Sequence, residues 1–141
     1  MSGGANREVY GGVIEAISRG DPDALEGLVA PDIVDHNPSP DQPPGINGFK
    51  EWIRRVRSSF PDLRGSIETV VAEDDWVAAR VTWRGTHRGD FIGLPATNRR
   101  VEFEAYHVVR FADGLATEWW GAADLLGAAE QLGATLHSAQ E

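Results

Sequence analysis

The chain of 141 residues has no cysteine and a formal net charge of −9 at pH 7. Its length fits one domain with a buried core over residues 1–141, and the missing cysteines exclude disulfides, thiolate metal sites and cysteine nucleophiles. The acidic charge argues against a nucleic-acid partner, and the sequence shows neither a signal peptide nor an apolar run of about 20 residues. We therefore expect a cytoplasmic protein with no membrane partner.

Two helical segments open the chain. Apolar residues at helical spacing predict a helix over Asn6–Arg19, and Gly20 ends it. Asp21 then predicts an N-cap, and Pro22 the first position of a short second helix. The buried side of this second helix is expected to consist of Leu25, Leu28 and Val29.

A proline-rich segment separates these helices from the third one. Five prolines between Pro31 and Gly45 exclude a helix there, so we expect a loop with a short strand over Ile33–His36. The clearest amphipathic pattern follows and predicts a helix over Asn47–Phe60. Its apolar stripe is Phe49, Trp52, Ile53, Val56 and Phe60.

From Leu63 onward the hydrophobic period changes to two, as in β-strands. Hairpin turns are expected at Glu73–Asp75 and Asp113–Gly114, with a longer loop over Arg88–Asn98. A last helix over Asp124–Leu132 completes an α+β chain with helices on one face of the sheet. The predicted strands are Arg64–Ala72, Trp76–His87, Arg99–Phe111 and Leu115–Ala122.

Alternation identifies the inward face of each strand. In the three strands from Trp76 onward, the odd-numbered residues are mostly apolar and are expected to face the core. His107 is the one ionisable residue in the inward set of its strand, which makes it the first candidate for chemistry. The inward set is Val77, Ala79, Val81 and Trp83, then Val101, Phe103, Ala105, His107, Val109 and Phe111, then Leu115, Thr117, Trp119 and Gly121.

His107 is the sharpest catalytic candidate. An imidazole in an apolar wall has its pKa lowered toward or below neutrality, which suits a general acid or base. The alternative is a structural histidine bonded to a backbone carbonyl or a tyrosine. A pocket on the same face of the sheet would favour the catalytic interpretation.

Three further ionisable residues are candidates that also have structural alternatives. Asp35 and His36 lie in the proline-rich segment, where they either close over a pocket or form a solvated turn. In a strand, at most one of these two neighbours faces inward. Asp124 follows the last strand and acts as a base at the pocket mouth, as the cap of the last helix, or as both.

Aromatic residues on the inward face more often pack in the core than contact a ligand, but in a small domain some of them are expected to do both. His87 sits at a strand end and is expected to be solvated. The histidines, including His137, show no metal-ligand spacing, and the chain has no glycine-rich phosphate loop, so we expect neither a metal nor a cofactor. The expected substrate-binding residues are His36, Trp83, Phe103, Phe111 and Trp119.

Five segments of the sequence point to a known family. They are PDIVDHNP at 31–38, SSFPDL at 58–63, VAEDDWVAARVTWRGTHRGDFIGLPATNRRV at 71–101, HVVRFADG at 107–114 and DLLGAAEQLG at 124–133. Together they resemble the SnoaL-like polyketide cyclase branch of the NTF2-like superfamily. The resemblance implies a cone in which a strongly bent mixed sheet wraps around the N-terminal helices and forms a deep pocket on its concave face. It also implies a homodimer.

The resemblance further implies a reaction and a set of residues. Well-known members of this branch close a ring of an aromatic polyketide ester by an intramolecular aldol reaction, without cofactor or metal. The family's inward histidine matches His107, the polar residue of its first short strand matches Asp35, and the acid at the start of its last helix matches Asp124. The family's last strand tends to read histidine, any residue, aspartate, with the aspartate as acid/base. Trp119 and Gly121 stand at those positions here.

The leading hypothesis is therefore a cofactor-independent cyclase or isomerase of an apolar, polyketide-derived small molecule. His107 is expected to be the acid/base, with Asp35 or Asp124 polarising it or serving as the base. Two alternatives stay open: an epoxide-opening cyclase or hydrolase of the same fold, and a non-catalytic protein that binds a hydrophobic ligand. Two or more ionisable groups that converge within hydrogen-bond reach in the pocket favour an enzyme, whereas an aromatic-lined pocket with only His107 favours binding.

Overall fold

Three α-helices and five strands make up the part of the chain that the computed structural model describes, residues 3–135. The expected α+β succession, with helical segments before a run of hairpins, is confirmed. The helices are α1 (Gly3–Arg19), α2 (Gly45–Ser59) and α3 (Leu125–Gln131), with a short 3₁₀ helix at Pro22–Leu25. The strands are β1 (Val29–Asp35), β2 (Arg64–Glu73), β3 (Trp76–Thr86), β4 (Arg100–Ala112) and β5 (Leu115–Ala123).

The strands form one mixed sheet in the order β1-β5-β4-β3-β2. β1 runs parallel to β5, and the other neighbouring strands are antiparallel. The turn between β4 and β5 has positive φ angles of 52° at Asp113 and 79° at Gly114, as a tight two-residue hairpin requires. The sheet is curved, and α1 and α2 pack against its inner face.

The second helical segment is shorter than expected. It is a single 3₁₀ turn with Pro22 near its start, and Leu28 and Val29 lie beyond its end. Asp21 stands at the N-cap position, but its side chain makes no capping hydrogen bond and lies 3.6 Å from the Arg19 guanidinium instead. The predicted Asp21 cap is therefore wrong.

β1 is longer than the short strand expected at Ile33–His36. It begins at Val29, which the helical pattern assigns to the preceding helix, and it includes Pro31. Proline has no N–H to donate to a sheet, which normally excludes it from a central strand. The residue is tolerated here because β1 is an edge strand that pairs with β5 alone.

The alternation predicted for the last strand is wrong at its start. Ala116 is fully buried, whereas Leu115 and Thr117 are only partly buried. The pairing with β4 shifts register here, and Thr117 is an extra residue in β5. Such a β-bulge exchanges the faces of the residues that precede it. From Trp119 onward the predicted inward face is correct.

The hydrophobic core lies between the helices and the inner face of the sheet. It includes Tyr10, Val13, Ile14 and Ile17 from α1, and Val77, Val81, Val109 and Phe111 from the sheet. The outer face of the sheet carries exposed apolar side chains, among them Val34, Trp76, Tyr106 and Val108. No helix within residues 3–135 is long and apolar enough to cross a membrane.

Candidate active site

A cavity of about 290 Å³ lies between the inner face of the sheet and helices α1 and α2. Its walls are mainly apolar and include Val13, Ile17, Phe49, Trp52, Trp83 and Phe103. Ligand pockets in proteins typically have about 300–1,000 Å³ and combine apolar walls with a few placed polar groups. A pocket suited to a small apolar molecule is therefore present on the face that the sequence analysis indicates.

His107 projects from β4 into this cavity and is bonded to a tyrosine of α1. Its Nδ1 lies 2.7 Å from the hydroxyl oxygen of Tyr10, a residue with no exposed surface. Burial raises the pKa of Tyr10 and lowers the pKa of His107 to about 4. At neutral pH the Tyr10 hydroxyl is therefore protonated and the imidazole is uncharged.

The Tyr10 contact determines which imidazole nitrogen carries the proton. Within residues 3–135 the Tyr10 hydroxyl has no hydrogen-bond acceptor other than Nδ1 of His107. A buried hydroxyl left without an acceptor costs about 1–3 kcal/mol. Tyr10 is therefore assigned as the donor to Nδ1, and the proton of the neutral ring lies on Nε2. His107 can offer this N–H to a ligand in the cavity.

The structure combines the two interpretations that the sequence left open for His107. The ring is bonded to a tyrosine, as in the structural interpretation, and it lines the cavity, as in the catalytic one. Asp35 and Asp124 bond to other groups, and Tyr10 occupies Nδ1. Neither carboxylate therefore polarises the imidazole in this structure.

Asp35 is the only carboxylate among the described residues that line the cavity. It ends β1, and its register opposite Trp119 of β5 places it on the inner face of the sheet. Its Oδ1 accepts a hydrogen bond from the backbone N–H of Asn37 at 3.0 Å, and its Oδ2 accepts one from the side-chain amide of Gln42 at 2.9 Å. These bonds hold the carboxylate in place, and each oxygen retains a lone pair that can take a proton.

The loop after β1 supplies polar residues that the sequence analysis does not single out. Asn37, Ser39 and Gln42 all line the cavity. The amide oxygen of Asn37 accepts a hydrogen bond from the Gly121 N–H at 3.0 Å, and the amide oxygen of Gln42 accepts one from the Ser39 N–H at 3.0 Å. Their position directly after Asp35, in a segment rich in turn-forming residues, is the sequence signal that could have identified them.

His36 faces away from the cavity, as alternation requires of the residue next to Asp35. Its ring stacks on Trp120 with centroids 4.2 Å apart and planes 5° apart, and its Nε2 lies 3.0 Å from a Glu118 carboxylate oxygen. These contacts lie on the outer face of the sheet. His36 therefore does not line the cavity, as its predicted contact with a substrate requires.

Asp124 also lies outside the cavity. Its side chain is exposed, and its Oδ1 accepts a hydrogen bond from the Gly127 N–H at 2.9 Å, which caps α3. Its neighbours Ala123 and Leu125 line the cavity instead. Of the interpretations left open for Asp124, the structure supports the helix cap.

The inward aromatic residues divide between cavity and core. The cavity is lined by Trp83, Phe103 and Trp119. Phe111 is 2% exposed, packs in the core and does not line the cavity, as its predicted contact with a substrate requires. Trp119 is central to the site, because its ring stacks on Tyr10 at 5.8 Å and lies 4.8 Å from the ring of His107.

His87 is completely buried, so the prediction that it is solvated is wrong. Its Nδ1 accepts a hydrogen bond from the Thr97 backbone N–H at 3.3 Å and lies 3.0 Å from the Thr97 hydroxyl. These contacts hold down the loop over residues 88–98, whose Phe91 and Ile92 line the cavity. Local sequence could not reveal this burial, because it results from the loop folding back over the strand end.

Gly121 stands where the resemblance places the family's catalytic aspartate. A β-carbon at residue 121 would lie 3.2 Å from Cδ2 of His107 and 3.3 Å from Nε1 of Trp119. A side chain at this position would therefore crowd both rings, whereas the Gly121 backbone lines the cavity without doing so. His137 lies outside the described residues, and within residues 3–135 no three His, Asp or Glu side chains are grouped so as to hold a metal ion.

Comparison with known proteins places the chain among cyclases. A model of the family described as SnoaL-like polyketide cyclase matches residues 7–132. The chain is 30% identical over 128 residues to the aklanonic acid methyl ester cyclase DauD of Streptomyces sp. strain C5, a match that covers 86% of this chain and 77% of that protein. It is 29% identical over 126 residues to the nogalonic acid methyl ester cyclase of Streptomyces nogalater, covering 86% of this chain and 92% of that protein.

Solved structures share nearly the whole fold. TsrD from Streptomyces laurentii matches with a TM-score of 0.89 and 31% identity, over 96% of this chain and 99% of that chain. IdmH from Streptomyces antibioticus matches with a TM-score of 0.80 and 32% identity, over 92% of this chain and 99% of that chain. These matches confirm the cone-shaped NTF2-like fold expected from the sequence.

Proposed function

The chain belongs to the SnoaL-like polyketide cyclase family, and on this basis we propose that it is a cofactor-independent cyclase of an apolar, polyketide-derived small molecule. The observation that carries the proposal is the cavity, in which the carboxylate of Asp35 and the neutral imidazole of His107 share apolar walls. Such a pair can supply a base and a hydrogen-bond donor to one bound molecule.

We assign the base to Asp35 and the hydrogen-bond donor to His107. The Asp35 carboxylate removes a proton from the carbon next to a substrate carbonyl. The electron pair of the broken C–H bond forms a carbon–carbon double bond, and the π pair of the carbonyl moves onto its oxygen. The N–H at Nε2 of His107 donates a hydrogen bond to the resulting enolate oxygen. The enolate carbon then attacks a second carbonyl of the same molecule and closes the ring. The new alkoxide takes the proton back from Asp35.

This assignment accounts for the glycine at position 121. The resemblance places the family's acid/base at Gly121, which has no side chain. Asp35 lies on β1, the strand paired with β5, and faces the same cavity, so it can supply a carboxylate from the neighbouring strand. The apolar walls would hold the substrate in a folded conformation that brings its two reacting carbons close together, which lowers the barrier to ring closure.

Turnover of aklanonic acid methyl ester, the compound in the name of the DauD relative, tests the proposal. Asp35→Asn is expected to lower kcat by about 10²-fold or more, the contribution of one general base. His107→Leu removes the N–H donor and is expected to lower kcat by about 10²-fold, the contribution of one hydrogen bond to the developing charge. Asp32→Asn changes an exposed carboxylate of the same strand and is the matched control. Unchanged kcat in both variants would overturn the assignment. Saturable binding without turnover by the wild type would favour the non-catalytic alternative.

We also propose that the protein is a cytoplasmic homodimer that pairs through the outer face of the sheet. Val34, Trp76, Tyr106 and Val108 on this face are each 41–51% exposed, and large apolar side chains exposed on one face are typical of an interaction site. Sedimentation analysis is expected to give the mass of two 15.3 kDa chains, and Val108→Glu is expected to give the mass of one. A monomeric wild type would contradict this proposal.

A further inference from the structure

The indole N–H of Trp119 has no hydrogen-bond partner within residues 3–135. The side chain is nonetheless nearly buried, with 6% of the residue exposed, and it lines the cavity. Contacts with the rings of Tyr10, Phe49 and His107, at centroid distances of 5.8, 5.6 and 4.8 Å, hold the indole in place. A buried indole N–H usually has an acceptor. The nitrogen itself is not among the fully buried atoms, so its acceptor comes from the cavity, as water or as an oxygen of a bound ligand.

His107 contributes a second free N–H, from a ring whose centroid lies 4.8 Å from that of Trp119. Because Tyr10 donates to Nδ1, the proton lies on Nε2, which also has no partner within the described part of the chain. The point that a β-carbon of residue 121 would occupy lies 3.3 Å from Nε1 of Trp119. The same point lies 3.2 Å from Cδ2 of His107, the ring carbon bonded to Nε2. Both rings therefore border the space beside Gly121.

The residue types at 119 and 121 are consistent with a site for an oxygen anion. Glycine at 121 presents only its backbone to the two rings, because a β-carbon there would press against both. Uncharged N–H donors in an apolar cavity stabilise negative charge that develops on an oxygen, and they need no reorganisation to do so. Asp35, the cavity carboxylate, is bonded to Asn37 and Gln42 rather than to these donors.

We propose that Trp119 is a further catalytic residue, and that its Nε1–H and the Nε2–H of His107 together bind the enolate oxygen of the substrate beside Gly121. The inference rests on the proposed function, in which Asp35 removes a proton and leaves the negative charge on that oxygen. The C–H electron pair forms the enolate double bond while the carbonyl π pair moves onto the oxygen, and the two N–H groups donate to that oxygen. The charge leaves the oxygen again when the new carbon–carbon bond forms. The ligands that fit this pair are planar enolates and phenolates.

A matched pair of tryptophan variants tests the catalytic role. Trp119→Phe keeps an aromatic ring against Tyr10 and removes the N–H, whereas Trp120→Phe changes a residue that stacks on His36 on the outer face. Trp119→Phe is expected to lower kcat on aklanonic acid methyl ester by about 10²-fold with little change in KM, the effect of losing one oxyanion donor. Trp120→Phe is expected to keep the wild-type kcat. Wild-type kcat in Trp119→Phe, beside an inactive Asp35→Asn, would overturn the inference and leave the proposed function standing.

Binding of 2-naphthol tests the donor pair without turnover. Naphthol and naphtholate have different absorption bands, so a pH titration of the bound probe gives the preference of the cavity for the anion. Trp119→Phe is expected to lower this preference about tenfold or more, the effect of one hydrogen bond to a charged group, and Trp120→Phe is expected to leave it unchanged. Equal preference in all three proteins would overturn the inference. A preserved effect in a protein that turns over no substrate would support the donor pair and count against the proposed function.

Discussion

The burial of His107 predicts that the protein loses stability as the pH falls below about 6.5. In the unfolded chain the imidazole takes up a proton near its ordinary pKa of 6.5, whereas burial in the folded protein lowers the pKa to about 4. Between these values the unfolded chain binds more protons than the folded protein, so the free energy of unfolding decreases as the pH falls. Well above pH 6.5 the ring is uncharged in both states and has no such effect.

The magnitude follows from the two pKa values. One proton is worth about 1.4 kcal/mol per pH unit, so the interval from 6.5 to about 4 corresponds to about 3 kcal/mol. Roughly 2 kcal/mol of this is lost by about pH 5, where the unfolded imidazole is almost fully protonated. Tyr10, the titratable group in contact with the ring, stays uncharged over this range because burial raises its pKa.

Urea unfolding of the wild type and of His107→Gln at about pH 7.5 and pH 5 measures the effect. Glutamine does not titrate, and its amide oxygen can still accept from Tyr10. The stability advantage of the wild type over the variant is expected to shrink by about 2 kcal/mol at the lower pH. An advantage that is the same at both pH values would refute the uncharged, buried imidazole, and with it the assignment of its only proton to Nε2.

Three further substitutions have defined outcomes. Ile92→Asn is expected to raise the free energy of unfolding in urea by about 1 kcal/mol, because asparagine tolerates the φ of 46° at residue 92 better than a β-branched residue. An unchanged free energy of unfolding would argue against backbone strain at Ile92. Asp124→Ala is expected to lower the free energy of unfolding by about 1 kcal/mol through loss of the α3 cap. A fall in kcat at unchanged stability would instead indicate that Asp124 takes part in catalysis. Tyr10→Phe is expected to replace the single tautomer of His107 by a mixture in nitrogen NMR spectra, and a single Nε2–H tautomer in the variant would contradict the role of Tyr10.

The type and order of the elements could be predicted from the sequence because each depends on a local period. Alternation in β4 places His107 on the inner face, where the structure has it. The same rule fails at the start of β5, because the bulge at Thr117 depends on how β5 pairs with β4 and cannot be detected from the alternation of apolar and polar residues. β1 extends through Pro31 for a similar reason, since only the topology shows that this strand lies at an edge.

The candidate site could be predicted in part. His107 and Trp119 project from strands, so their face follows from the period of two. Tyr10 could not be identified, because it lies 97 residues before His107 in the chain and has the pattern of an ordinary core position on a helix. The burial of His87 likewise depends on a loop that folds back so that Thr97 contacts the histidine ring. A local hydrophobic period cannot predict such a contact.

The proposed role of Asp35 is tested most directly by hydrogen exchange at the reacting carbon. An analogue of aklanonic acid methyl ester whose second carbonyl is reduced cannot close the ring, so its deuterium uptake from heavy water reports proton removal alone. We expect the wild-type protein to accelerate this uptake, and Asp35→Asn, but not Asp32→Asn, to slow it by about 10²-fold or more. Saturable binding of the analogue, with uptake no faster than in buffer, would contradict catalysis by Asp35 and indicate a protein that only binds its ligand.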